Sequence, residues 1–341
     1  MKNRAAVFTL VLLFSCLPNR TQNAYLREFR SLFGGLRATR TDGWDTSRLQ
    51  LPLSERILPL GQEAAEYVQR LNALDDIQEK PEGTVLTDLE RKKLIQEMEK
   101  YPEPIRVFFR SSVIAIFTGK NIGSSAITGT VYDDQKKPVF GFIILDTERL
   151  SRRANDWLAY KEGTAFAPEK NWSLEGSLEE DSNNTKEAAT AYILLHEAGH
   201  IFHEVNHLLP SFTDENPDYS KYEFSRNVWT SENEAANESS FEFRRLLKFY
   251  SEKPALSLVI APEVYDALDR TVWPTLYSST SAGEDFADTF ASYIHCIMQN
   301  RPYRITVKVG SYVRRVSVNG IRTERTRLRR EYMEQKLNSI R

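Results

Sequence analysis

The segment HEAGH, from His196 to His200, constrains this chain more than any other. Two imidazoles four residues apart face the same way only on a helix, so the segment has to be helical to have chemistry. Asn184 reads as an N-cap, with Glu187 three residues on as in a capping box. The apolar run AATAYILL feeds a buried helix directly into the histidine pair, and Pro210 closes it. On such a helix His196 and His200 can each turn a ring nitrogen to one ion, an arrangement that suits zinc with nitrogen ligands near 2 Å. Glu197 lies beside that ion without ligating it, where it can accept a proton from activated water.

A second copy of the pattern overlaps the first. His203, Glu204 and His207 form HEVNH, seven residues downstream and about 10 Å along the axis at 1.5 Å per residue. One ion cannot use both pairs. The first has the apolar lead-in and the small intervening Ala198 and Gly199. The second contains Asn206 and runs close to Pro210, so His203 and His207 are expected as a polar rim of the cleft.

Two histidines do not complete a catalytic zinc site; a third protein ligand is required, with one position left for water. The continuation HExxHxxGxxH fails here, because His203 and Asn206 stand where Gly and His would be. A glutamate on another helix is the alternative. GEDFADTFASYIH, from Gly283 to His295, spaces Glu284 and Asp288 four apart over an apolar stripe of Phe286, Phe290 and Ile294. Glu284 can ligate, and Asp288 can accept the remaining ring N–H of a ligand histidine. His295 lies about 16 Å from Glu284 by helix rise and reads as structural. SENEAANESSFEF, from Ser231 to Phe243, offers Glu234 and Glu238 in the same spacing on an expected acidic helix.

HEAGH followed by the distant EDFADTFASY resembles the gluzincin metallopeptidases, above all the anthrax lethal-factor-like branch. That branch has a helix of the form E-x-F-A-E/D-x-F, with a tyrosine seven residues before it; Tyr277 stands seven residues before Glu284. The resemblance implies that Tyr277 reaches toward the substrate carbonyl and stabilises the oxyanion. It covers residues 184–207 and 277–295. It implies a zincin-like α+β fold, a small mixed or antiparallel sheet packed on the HExxH helix between mainly helical terminal parts, and a peptide or protein substrate. A zinc hydrolase of a non-peptide amide, or a non-catalytic zinc-containing surface lipoprotein, would share the same ligands. An intact Glu197 argues against the last.

With 341 residues, 41% hydrophobic composition and a formal charge of −2, the chain is an ordinary globular protein with no single-sign excess that would point to nucleic acid. Residues 1–15 read as a signal peptide, with Lys2 and Arg4 ahead of an apolar run too short to span a bilayer. LFSC resembles a bacterial lipobox with Cys16 as the lipidated residue, so a cell-envelope anchor is expected, followed by a tether over 16–23. Cys296 would then be the sole thiol of the mature chain, and its apolar neighbours predict burial.

Residues 24–104 read as a helical region, with GQEAAEYVQRLNAL and TDLERKKLIQEMEKY as helices and Lys80–Gly83 as the turn between them; Thr87 and Glu90 form a capping box. The core is expected over 105–300. Its β-branched and aromatic runs at 105–146 predict strands, with a hairpin loop at Asp133–Pro138; 161–184 reads as a long loop. A sheet edge there would hold an extended substrate. The extension 301–341 carries 12 Lys/Arg against 3 Asp/Glu. It reads as strands turning at Asn319-Gly320 and then a helix, with a solvated cationic face favoured over attraction to anionic lipid.

Overall fold

The computed structural model describes residues 35–75, 77–237 and 240–340, and they form a mixed α+β fold. The expected signal peptide, Cys16 and tether lie outside the described residues, as does Glu238. No helix among the described residues is long and apolar enough to cross a membrane.

Short 3-10 turns lead into strand β1 (Ile57–Pro59) and helix α1 (Gln62–Leu74). The expected turn at Lys80–Gly83 contains a short strand, β2 (Glu82–Gly83), antiparallel to β3. Helix α2 (Asp88–Glu99) starts at the expected cap: the Glu90 amide donates to the Thr87 hydroxyl at 3.2 Å, and the Thr87 amide donates to the Glu90 carboxylate at 3.1 Å. The first part of the expected strand region is helical instead. Pro104 falls within the first turn of α3 (Glu103–Ser112), where its missing N–H costs nothing, and Ile105, Phe108 and Phe109 share its buried face.

Strands β3 (Val113–Lys120), β4 (Ala126–Tyr132) and β5 (Pro138–Asp146) then build the main sheet, in the order β1-β3-β5-β4. The β4–β5 loop is the expected hairpin, tied by the Gln135 and Lys137 amides, which both donate to Asp133 Oδ1 at 2.9 Å. Because alternate residues face opposite ways, Ala115, Phe117, Phe142 and Ile144 pack against α1 on one face. Ile116, Ile143 and Leu145 face the larger core on the other. Two strands of the expected helical N-terminal region thus belong to the core sheet.

The expected loop at 161–184 contains more order than its polar composition suggests. Helix α4 (Ala154–Gly163) runs into it, followed by β6 (Phe166–Ala167) and β7 (Trp172–Ser177). Helix α5 (Lys186–Val205) carries HEAGH; its N-cap is Thr185, whose hydroxyl accepts from the Ala188 amide at 3.1 Å. Asn184, the expected cap, instead accepts the Asn155 amide at the start of α4. Among the described residues of 231–243 there is no α-helix; they make turns, a 3-10 residue at 240 and an isolated bridge between Trp229 and Ala235.

After β8 (Leu256–Ser257), which pairs with β6, come α6 (Ala261–Leu268) and α7 (Ala282–Ser292); α7 continues as a π-helix over Tyr293–Met298. Strands β9 (Arg304–Val309) and β10 (Tyr312–Val318) join β7 in a second sheet. Their turn is at Gly310 and Ser311, because Gly310 adopts the positive φ of 55° that a two-residue hairpin requires. Asn319, expected in that turn, caps a 3-10 turn by accepting the Ile321 amide. Helix α8 (Arg327–Asn338) is the last described element. Many of the basic side chains of 301–341 are neutralised within the fold: Arg329 pairs with Asp285, Arg301 with Glu179, Arg315 with Asp266 and Lys336 with Glu223.

Candidate metal centre

Helices α5 and α7 meet at Gly199. A Cβ built there would lie 2.8 Å from the Ala287 Cα and 3.2 Å from its carbonyl oxygen. Only glycine lets the two backbones come this close, and the approach faces Glu284 and Asp288 toward the histidines.

His196 Nε2 lies 3.0 Å from Glu284 Oε2, and His200 Nε2 lies 3.8 Å from Glu284 Oε1. One ligand atom from each of the three residues lies within 4.8 Å of the others. Ligands about 2 Å from a tetrahedral ion are about 3.3 Å apart, so the spacing fits one zinc with modest adjustment. Glu284 Oε2 is buried and makes no hydrogen bond, which leaves a lone-pair acceptor facing two imidazoles. His196 Nδ1 is 3.3 Å from Asp288 Oδ1; donation there leaves Nε2 as the free lone pair.

The electrostatics favour a cation at this point. Burial opposes charge on His196, but the Asp288 and Glu284 carboxylates beside it outweigh that and hold its pKa up at about 10. The carboxylates that hold a proton there would equally attract a dication. His200 lacks a comparable partner, and burial pulls its pKa down to about 4, leaving the neutral imidazole a metal needs. Burial raises the Asp288 and Glu284 carboxyls, yet Lys161 with His196 in the first case, and the two histidines in the second, leave both below their ordinary values.

Glu197, next to His196 on α5, faces strand β4. The Thr128 hydroxyl on β4 donates to Glu197 Oε2 at 2.7 Å, and burial pushes this carboxyl up toward neutrality. The Tyr277 ring is 5.8 Å from the His196 ring and edge-on to Phe249 at 4.9 Å. Burial, followed by the charge of Glu284, keeps its phenol protonated and therefore a hydrogen-bond donor.

The start of α7 is held by residues the sequence did not single out. The Ser281 hydroxyl accepts the Glu284 amide at 3.2 Å. Half-buried Glu232 accepts from the Gly283 amide at 3.0 Å and the Tyr219 hydroxyl at 2.7 Å, a negative charge at a helix N-terminus. Its neighbour Glu234, the alternative ligand, instead pairs with Arg245 at 3.0 Å on the surface. Thr128, Lys161, Thr275 and Glu232 were likewise missed, since a single polar residue on a strand, helix or loop carries no spacing signal.

The second HExxH motif does not gather ligands. His203 is buried with neither ring nitrogen hydrogen-bonded, so it is no polar rim. Glu204 turns to the following loop, accepting the Phe212 amide at 3.0 Å and the Ser211 hydroxyl at 2.8 Å. His207 is exposed and beyond the helix end, at φ 52°. His295 bonds the carbonyls of Leu178 and Pro302 through Nε2. Cys296 is buried and free, its thiol pushed up to about 12 by burial.

No protein-family model matches this chain, and no curated protein and no solved structure matches it.

Proposed function

We propose that this chain is a zinc-dependent metallopeptidase with a zincin-like core, in which His196, His200 and Glu284 hold the ion and Glu197 moves the proton. One observation carries the reading: three ligand side chains from two helices converge while Glu197, between the two histidines, is held apart by Thr128. A purely structural site has no use for that fourth group.

When bound, zinc lowers the pKa of water and polarises a carbonyl. Glu197, its pKa raised by burial, takes a proton from the attacking water and returns it to the leaving nitrogen. Asp288 keeps His196 in one tautomer and orientation. The neutral Tyr277 phenol donates to the carbonyl oxygen as negative charge develops.

A peptide suits the surroundings. Strand β4 ends the main sheet and touches Glu197 through Thr128, so an extended backbone paired to that edge would bring its carbonyl to the centre. The Thr128 carbonyl already accepts the Tyr67 hydroxyl at 2.9 Å, so a substrate strand pairs with its neighbours or displaces that phenol. An exported location with Cys16 lipidated goes with this reading; a Cys16→Ser chain that still partitions with membranes would refute the anchor.

The deciding experiment measures zinc in the purified chain and cleavage of a peptide library by wild type and Glu197→Gln. The reading requires zinc in both and turnover in wild type alone. Absence of zinc, or undiminished cleavage by the variant, overturns it.

A further inference from the structure

Lysine is among the residue types least often buried without a partner, and Lys161 on α4 is buried. Its ammonium lies 3.2 Å from Asp288 Oδ1, the oxygen that is also 3.3 Å from His196 Nδ1. The Thr275 hydroxyl donates to the other oxygen, Oδ2. The same ammonium sits 4.4 Å from the centre of the Tyr277 ring, within cation–π range. One cation thus touches both the carboxylate that orients a ligand histidine and the tyrosine beside it, across 127 residues of sequence. Trp157, one turn earlier on α4, lies 5.7 Å from the ammonium, so the charge is enclosed by aromatic faces and its ionic partner is Asp288.

Resting on the zinc reading above, we propose that Lys161 is a positioning residue of the metal centre. Its ammonium fixes the Asp288 carboxylate in the rotamer that aims His196 at the ion, and pins the Tyr277 ring against the same site. Without it, Asp288 keeps, among the described residues, only Thr275 as a donor besides His196 and is free to swing away from Nδ1. Outer partners of this kind change metal affinity by roughly 10–100-fold.

The test is a double-mutant cycle on the full chain. Zinc affinity is read by chelator competition in wild type, Lys161→Met, Asp288→Asn and the double variant, with circular dichroism as the check on folding. Lys161→Met is expected to weaken zinc by roughly 10–100-fold in the wild-type background, but by less than about threefold once Asp288 is Asn. Equal losses in both backgrounds, or none in either, overturn the proposal. The d–d absorption of the cobalt-substituted chain supplies a second reading: Lys161→Met is expected to shift it, and an unchanged spectrum counts against reorientation of His196.

If Lys161→Met does not fold, Lys161→Arg and Lys161→Gln carry the comparison. The retained cation is expected to keep zinc affinity near wild type and the neutral amide to lose it; identical behaviour defeats the inference. A wild-type chain that takes up no zinc defeats the metal reading as well. Wild-type zinc with an indifferent Lys161→Met defeats this inference alone.

Discussion

Helix α5 carries the same five-residue pattern twice, and the two copies come to opposite ends. His196 and His200 face Glu284 across the α5–α7 crossing. Seven residues on, His203 is sealed without a hydrogen bond, Glu204 is bound by the next loop, and His207 falls past the last turn. The difference lies in what each pattern meets. Gly199 admits the backbone of α7 beside the first copy; its counterpart Asn206 is the C-cap of the helix, its side-chain amide donating back to the Phe202 carbonyl at 2.9 Å. A helix can repeat the spacing of a metal site, but a third ligand and a helix that continues are needed to make one.

The widest separation between the copies is expected in turnover. Glu197→Gln should lose roughly 100–10,000-fold in peptide cleavage, whereas Glu204→Gln should stay within about tenfold of wild type, because Glu204 faces a loop and not the ligands. Comparable losses in the two variants would erase the distinction. Zinc affinity comes next. His196→Ala and Glu284→Ala should each weaken it by more than the roughly 10–100-fold typical of outer partners, while His203→Ala and Glu234→Ala leave it within a few-fold. A chelator titration in which Glu234→Ala proved the worse variant would reverse the ligand assignment.

The helix crossing can be broken from its own side. A methyl group at position 199 must displace the Ala287 backbone, so Gly199→Ala should cost about 1–3 kcal/mol by denaturant unfolding and weaken zinc with it. Asn206→Ala, at the helix end, should cost under about 1.5 kcal/mol; equal costs would mean that the approach of α7 is not tight.

The smaller effects sharpen the second copy. His203→Leu removes a buried ring with two unpaired nitrogens and should leave the melting temperature unchanged or raised; a large fall would reveal a partner for that ring. For Glu204, burial outweighs the Phe212 and Ser211 donors and lifts its pKa from 4.5 to about 7. The folded chain then holds a proton that the unfolded chain has released. Its contribution to stability is full below about pH 4.5 and is lost as pH rises through about 7. Glu204→Gln should flatten that decline between about pH 4.5 and pH 7; an unchanged slope would assign it to another group.

Much of the local structure was legible because it rests on period and caps. The α5 and α7 spacings, the Thr87–Glu90 box and the β4–β5 hairpin are each decided within a few residues. Thr185 took the cap from Asn184 because Asn184 was needed by α4, a competition between segments 29 residues apart. Strand β7 was hidden because its pairing comes from β9, more than a hundred residues later. The described residues of 231–243 form no α-helix; the Trp229 and Glu232 side chains instead bond the Asp285 carboxylate and the Gly283 amide at the start of α7.

What the sequence alone determined is the set of intervals: His196 and His200 one turn apart, Glu197 between them, and Glu284 and Asp288 one turn apart on a second helix. Backbone geometry enforces these wherever the segment is helical. The tertiary structure decided which carboxylate meets which imidazole, and that Thr128, Thr275 and Lys161 would hold the parts in place. Those contacts depend on how closely two helices can approach and on which buried charges must be paired, and neither is set by local spacing.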